Sequence, residues 1–238
     1  MKILIANNSG NVGKSFIARE VFYKNIKSDD KIIIEVESRN SSSQKFKNVN
    51  SVKVDGNDLE NVFNLMYEHD EYIIDIGASQ IIPFFTELDK SDGVDEDDID
   101  MIIVPVTADD KIHDDSITTL KALKKMNLQD ITKIVFNRVD NLKNIQDFIN
   151  EAESLNYKIN KELRILNYDA IKDINKTNMT SFQLANSTKD YKALAKEAAK
   201  NKDMEAKENY VKLYTAQKYA KGIVENVDRV YALLMATK

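Results

Sequence analysis

The chain has 238 residues, 42% of them hydrophobic and 31% charged, which suits one main folded domain rather than a disordered chain. It contains no cysteine, which excludes disulfides and thiolate metal sites and makes the cytoplasm the expected location. The net charge of -5 argues against a surface that binds nucleic acid everywhere, although local basic patches stay compatible with it. We expect neither a signal peptide nor a membrane span.

Short runs rich in isoleucine and valine recur along the chain and alternate with helical patterns. Continuous apolar runs predict strands that are buried on both faces, as in a parallel sheet. The runs cover residues 3–6, 32–36, 72–76, 101–106, 134–136 and 163–166. The clearest helical pattern is expected to begin at Asn57, with Glu60 completing a capping box. The predicted fold class is therefore α/β, with a doubly wound, mostly parallel sheet and helices on both faces.

An acidic run at residues 87–100 is interpreted as a solvated loop without chemistry, because runs of like charge repel one another and stay hydrated. The two histidines, His69 and His113, lie far apart in the sequence, and we expect no zinc site.

The pattern changes near residue 201, where the strand-like runs stop. Residues 1–201 are interpreted as one domain and residues 202–238 as a helical extension. Apolar residues of the extension follow a spacing of three and four: Leu213, Ala216, Ala220, Ile223, Val227, Val230 and Leu234. Such a seam packs either on its own domain or on a partner. Its balanced charges disfavour lipid binding.

A glycine loop follows the first predicted strand. Residues 7–15 read Asn-Asn-Ser-Gly-Asn-Val-Gly-Lys-Ser, and a helical pattern follows them. A loop that turns backbone N–H groups inward at a helix N-terminus binds phosphates. Lys14 would then reach the β- and γ-phosphates, and the Ser15 hydroxyl would ligate Mg²⁺. The expected nucleotide contacts are Ser9, Gly10, Asn11, Val12, Gly13, Lys14, Ser15 and Phe16.

This loop resembles the deviant P-loop of the ParA/MinD superfamily, which lacks a glycine at the position of Asn8. Ser9 stands where that superfamily carries its signature lysine, which reaches the partner's phosphates in a nucleotide-sandwich dimer. Within the superfamily, the opening and the second strand are similar to Stb-type plasmid stability proteins. The resemblance covers residues 1–200.

The resemblance implies roles for two acids, Glu37 and Asp75. Glu35-Val36-Glu37 is similar to the Asp-x-Asp that ends the second strand of ParA and MinD, and alternation places both glutamates on one side of the strand. Glu37 would orient the attacking water or lie beside Mg²⁺. Asp75 and Gly77 end a Walker-B-like strand, where Asp75 would hold Mg²⁺ through a water. Lys14 and Glu37 are thus the expected catalytic residues, and Ser15, Asp75 and Glu37 the metal-binding residues.

Two further loops resemble those that flank the base in this superfamily. Asn137 would pair with a base edge and Arg138 would stack on its ring. The sequence Asn137-Arg138-Val139-Asp140 is also similar to the Asn-Lys-x-Asp of GTPases, so guanine stays an alternative to adenine. Tyr168 and Asp169 match the last nucleotide-flanking loop, without its proline.

The resemblance implies a Mg-ATP-dependent switch with weak ATP hydrolysis in plasmid partition or stability, with ATP or ADP and Mg²⁺ as its cofactors. Its expected partners are a DNA-bound adaptor protein, nonspecific DNA and a second copy of the chain in a nucleotide-dependent homodimer. Two alternatives stay open. One is an ATP-dependent metabolic ligase of similar fold, such as dethiobiotin synthetase, and the other is a nucleotide-binding scaffold that hydrolyses nothing.

Overall fold

The computed structural model describes residues 1–37, 43–90 and 98–236. In this part of the chain, seven parallel strands form one sheet with the order β3-β2-β4-β1-β5-β6-β7. The strands are β1 (Lys2–Ile5), β2 (Lys31–Val36), β3 (Ser51–Val54), β4 (Glu71–Ile76), β5 (Met101–Val106), β6 (Thr132–Asn137) and β7 (Arg164–Ile165). Each of the six apolar runs overlaps a strand, and the predicted α/β class is confirmed.

Helices connect these strands and cover both faces of the sheet. They are α1 (Lys14–Phe16), which continues as a π-helical segment (Ile17–Tyr23), α2 (Leu59–Glu68), α3 (Ile81–Lys90), α4 (Asp110–Lys125), α5 (Gln146–Ser154), α6 (Ile171–Lys176), α7 (Ser181–Ala185), α8 (Tyr191–Lys200) and α9 (Met204–Met235). Short 3₁₀ turns at Ala78–Gln80 and Leu142–Ile145 precede α3 and α5.

Alternation along the strands divides the apolar side chains between two cores. In β1, Leu4 lies in the core that α2, α3, α4 and α5 cover, whereas Ile3 and Ile5 lie in the core on the opposite face. The second core is covered by α1, the π-helical segment and α6 to α9. Burial on both faces explains why the central strands are continuously apolar.

The sequence did not predict strand β3, which pairs only with β2 in the described sheet. Its residues Ser51-Val52-Lys53-Val54 alternate between polar and apolar, and only Val54 is fully buried. An edge strand needs no continuous apolar run, so the pattern that identifies the central strands does not identify this one.

Helix α2 begins later than predicted. Its N-cap is Asp58, whose carboxylate accepts the backbone N–H of Asn61 at 3.3 Å. The predicted first residue, Asn57, belongs to the preceding turn, where its side chain donates to the carboxylate of Asp55 at 2.9 Å. The local hydrogen bond to Asp55 holds Asn57 outside the helix. Of the acidic run, Glu87 and Lys90 lie on α3, and residues 91–97 lie outside the described residues.

Helix α9 runs without a break past Gly222, and its seam lies in the second core. Ala220, Ile223, Val227 and Val230 are all fully buried there. The helix therefore packs on the strands and helices of its own chain. Among the described residues, no helix is both long and apolar enough to span a membrane.

Burial of α9 generates a test. Val227→Asp places an unpaired charge in the second core, and we expect it to lower the free energy of unfolding by about 3–5 kcal/mol. Val211→Asp on the same helix is the matched control, because Val211 is 46% exposed and its replacement should cost less than about 1 kcal/mol. Urea denaturation of both variants gives the comparison. Equal losses would contradict the placement of the seam.

Candidate functional site

The loop between β1 and α1 lies at the carboxyl edge of the sheet, beside the ends of β2, β4 and β6. In open parallel sheets, ligands bind at this edge where the chain changes direction across the sheet. Strand β1 lies at such a point, because the consecutive strands β4 and β5 pair with its opposite edges. The sequence order thus brings the glycine loop, the two acidic strand ends and the Asn137 loop together.

Asn7 fixes the start of the loop, a role that the sequence did not predict. Its side-chain amide donates to the carbonyl oxygen of Pro105 and to the hydroxyl of Ser116, both at 2.7 Å. Its side-chain oxygen accepts the backbone N–H of Ser9 at 2.7 Å. Asn7 is fully buried and all its side-chain polar groups are bonded: the amide attaches the loop to β5 and α4, and the oxygen holds the turn at Ser9.

The end of β6 supports the other half of the loop. The Asn137 amide donates to the carbonyl oxygen of Val12 at 2.7 Å, and the Arg138 guanidinium donates to that of Asn11. Gly13 has φ of 91°, and a Cβ there would lie 2.1 Å from the Asn137 amide nitrogen. Glycine is therefore required at position 13 by both backbone conformation and space.

Lys14 lies inside the loop. Its ammonium donates to the carbonyl oxygens of Asn7 at 3.0 Å and Ser9 at 2.8 Å, and the side chain is buried. Burial lowers the pKa of Lys14 to about 8, although the nearby carboxylates of Asp75 and Glu37 oppose the change. The loop holds a desolvated cation whose partners are mostly neutral carbonyl groups.

Asp75, near the end of β4, is the carboxylate whose charge acts most strongly on this cation. Burial raises its pKa from the ordinary 3.8 to about 6, against a hydrogen bond from Ser15 and the charge of Lys14. Both Lys14 and Asp75 are therefore shifted toward their neutral forms. A bound anion with its metal ion would stabilise both charged forms.

Strand β2 supplies two more carboxylates to the same place. Glu35 pairs in register with Asp75, and Glu37 follows one residue beyond the end of the strand. A Cβ at Gly77 would lie 2.4 Å from a carboxylate oxygen of Glu37. In the structure, the lack of a side chain at Gly77 makes room for Glu37.

These groups surround a cleft of about 910 Å³. Its walls contain the expected Gly10, Asn11, Val12, Gly13, Lys14, Ser15, Phe16, Glu37, Asp75, Asn137 and Arg138, together with Glu35. Helix α6 adds a wall that the sequence did not predict, with Ile171, Lys172 and Asn175. A larger groove of about 1110 Å³ lies among α6, α8 and α9 and includes none of the glycine-loop residues.

Three of the expected nucleotide contacts do not line the cleft. Ser9 is buried beneath it, where its carbonyl oxygen binds Lys14. The hydroxyl of Tyr168 donates to the carbonyl oxygen of Gly222 on α9 at 3.3 Å, and Asp169 is exposed. The chain reaches the cleft two residues later, at Ile171 on α6, because Tyr168 packs against the second core.

The donor set of the cleft fits a magnesium ion bound together with phosphates. No group of three or more His, Cys, Asp or Glu side chains within the described ranges could hold a metal ion by itself. Mg²⁺ in phosphate sites, however, keeps water ligands and uses one or two protein oxygens. Ser15 and Asp75, which share a hydrogen bond, provide such oxygens.

The support of the loop by Asn137 generates a test with a matched pair of glycines. Gly13→Ala forces a Cβ onto the Asn137 amide and a strained φ, and we expect a loss of about 1–3 kcal/mol in the free energy of unfolding. A Cβ at Gly10 meets no atom within 4 Å, so Gly10→Ala should stay within about 0.5 kcal/mol of the wild type. Chemical denaturation without nucleotide measures both. Equal stability of the two variants would contradict the contact.

The raised pKa of Asp75 predicts a pH dependence. A carboxyl whose folded pKa lies above its unfolded pKa disfavours the fold increasingly as pH rises from about 4 through 6, by up to about 3 kcal/mol. Asp75→Asn cannot ionise, so we expect it to stabilise the nucleotide-free protein at pH 8, with a difference that shrinks toward pH 4. Urea denaturation of both proteins across this range measures the effect, and the points from pH 4 to 7 lie below the pKa of about 8 of Lys14, the cation that interacts with Asp75. Parallel pH profiles would show that Asp75 is not responsible.

No protein-family model and no curated protein matches the sequence. Solved structures are similar to it. A protein assigned to plasmid partition in Borrelia burgdorferi B31, bound to AMPPNP, has a TM-score of 0.50 and 15% identity, over 90% of this chain and 98% of that chain. The cell division ATPase MinD of Pyrococcus furiosus has a TM-score of 0.50 and 12% identity, over 92% and 98% of the two chains. At these identities the comparison establishes that the chain shares the fold of these proteins.

Proposed function

We propose that the protein is a Mg-ATP-dependent switch of the ParA/MinD type that hydrolyses ATP slowly. The observation that carries the proposal is the buried Lys14 ammonium, held by loop carbonyl groups and facing Asp75 and Glu37 across one cleft. A buried cation in a loop at a helix N-terminus, beside carboxylates that can ligate Mg²⁺, suits a polyphosphate bound with its metal. The fold shared with MinD and the AMPPNP-bound protein supports the same proposal.

Each residue of the cleft has a proposed role. Lys14 would leave its carbonyl partners to bind the β- and γ-phosphates, and the backbone N–H groups of the loop would bind the remaining phosphate oxygens. Ser15 and Asp75 would hold Mg²⁺, which neutralises charge on the phosphate oxygens when bound. Glu37 would orient the attacking water or lie on the metal side, because Gly77 lets its carboxylate approach this end of the cleft.

Adenine is the proposed base. Arg138 lies in the cleft wall, where its planar guanidinium can stack on a ring. The buried side-chain oxygen of Asn137 has no hydrogen-bond partner within the described residues and could accept from an amino group. Asp140, which would read guanine, accepts the backbone N–H of Asn167 at 3.1 Å and does not line the cleft. Tyr168 and Asp169 could contact the base only if residues 168–169 move away from α9.

The proposed setting is plasmid partition or stability in the cytoplasm, as in Stb-type proteins. The partners would be a DNA-bound adaptor protein, possible nonspecific DNA, and a second copy of the chain when nucleotide is bound. Ser9 cannot supply the cation that the signature lysine provides across a ParA or MinD dimer. A homodimer of this chain would therefore need a different contact at that position.

The proposal predicts that Lys14→Ala weakens Mg-ATP binding by at least about 100-fold without unfolding the protein, because the phosphates lose their buried cation. Lys143→Ala, at an exposed 3₁₀ turn away from the cleft, is the control and should bind as the wild type does. Calorimetric titration measures both affinities.

Two results would count against the proposal. Retained affinity in Lys14→Ala would contradict the phosphate role of the loop. Hydrolysis of ATP coupled to ligation of a small carboxylic acid or amine would instead support the metabolic ligase.

A further inference from the structure

Two charged side chains without a part in the proposed phosphate chemistry lie buried one turn after the loop. Arg19 and Glu20, in the π-helical segment, are 3% and 1% exposed, and their side chains form an ion pair at 3.0 Å. Removing two charges from water is costly unless further polar or aromatic contacts complete their environment. The further contacts of Arg19 and Glu20 therefore show which parts of the chain the ion pair connects.

Arg19 contacts one wall of the cleft directly. Its guanidinium donates to the side-chain oxygen of Asn175 at 3.3 Å, and Asn175 lines the cleft from α6. The second carboxylate oxygen of Glu20 accepts the backbone N–H of Ser181, at the start of α7, at 2.9 Å. The pair thus joins the helix that carries Lys14 and Ser15 to the α6 and α7 side of the cleft.

The other face of the guanidinium covers Phe46. Its central carbon lies 3.6 Å from the centre of the Phe46 ring, which is the stacking geometry of a cation on an aromatic face. Phe46 is 3% exposed but belongs to neither apolar core. A charged group, rather than the core, therefore accounts for much of its burial.

Phe46 belongs to the chain that continues from Glu37. The described residues resume at Ser43, whose backbone N–H donates to the Glu35 carboxylate at 2.6 Å. Within residues 43–50, Ser43 and Phe46 are the two buried side chains. The segment is therefore attached at the cleft by Glu35 and beneath the cleft by Arg19, and Lys47 adds backbone hydrogen bonds with Asn178 and Gln183.

We propose that Arg19 is a positioning residue, which holds residues 43–50 and the α6 wall in fixed places relative to the phosphate loop. The inference rests on the proposed function, because Glu35, which binds Ser43, and the α6 wall belong to the cleft in which Glu37 would orient the attacking water. Arginine suits the role, since its planar guanidinium stacks and donates at once and does not lose its proton. Its loss leaves the loop contacts of the phosphates in place but lets the α6 wall and the attachment of Ser43 to Glu35 shift beside the reacting groups.

The test uses two independent ways of breaking the attachment. Phe46→Leu removes the aromatic face, and the double variant Arg19→Met with Glu20→Gln removes both charges without leaving one unpaired. Phe148→Leu is the control, because Phe148 is 2% exposed and lies in the core on the other face of the sheet. Three quantities are measured for each variant below its melting temperature. They are the Mg-ADP affinity by calorimetry, the rate of single-turnover ATP hydrolysis, and the amide hydrogen exchange of residues 43–50.

We expect both variants to slow hydrolysis by about 10- to 100-fold, the scale of a misplaced reacting group, while Mg-ADP affinity changes by less than about threefold. Combining them should slow hydrolysis little further, since both act through one attachment. Amide protection of residues 43–50 should fall in both variants and not in Phe148→Leu.

The positioning role is overturned if the test variants change hydrolysis and amide protection only as much as Phe148→Leu does. A wild-type protein that takes up no nucleotide would instead contradict the proposed function. In that case the amide exchange of the nucleotide-free protein still decides whether Arg19 holds the segment.

Discussion

The site depends on one interaction, the buried Lys14 ammonium surrounded by loop carbonyl groups and facing Asp75. In water both groups would be fully charged near neutral pH, but burial shifts the pKa of each toward its neutral form. The fold keeps them there because Asn7, Asn137 and Arg138 attach the loop to three neighbouring elements. An anion bound with a metal ion would relieve this unfavourable electrostatic state, which gives the cleft a preference for such a ligand.

The central part of the fold could be predicted because its signals are local. Strands buried on both faces must be continuously apolar, and the phosphate loop carries its glycines and lysine within nine residues. Strand β3 lies at an edge and α6 has only six residues, so neither needs a strong pattern. The structure confirms the predicted long helix as α9. The spacing of its apolar residues could not show whether that seam packs on the chain's own core or on a partner.

The site could be predicted where function resides in residue type and not where it resides in contacts between distant parts of the chain. Lys14, Ser15, Asp75 and Glu37 were predicted from their positions after strands, and all four line the cleft. Asn7 and Arg19 were not predicted, because their contacts lie with residues distant in sequence, and an asparagine or arginine near a loop carries no distinctive signal. Tyr168 followed a family pattern, but packing against α9 holds it away from the cleft.

Proton exchange on ligand binding tests the electrostatic account most directly. Calorimetric titration of the wild-type protein with Mg-ATP at pH 8, in buffers of different ionisation enthalpy, measures the protons taken up or released. Since the pKa of Lys14 in the free protein is about 8 and a bound phosphate favours the charged ammonium, the account predicts uptake of roughly half a proton. Binding of Mg-ATP with no proton uptake at this pH would contradict it.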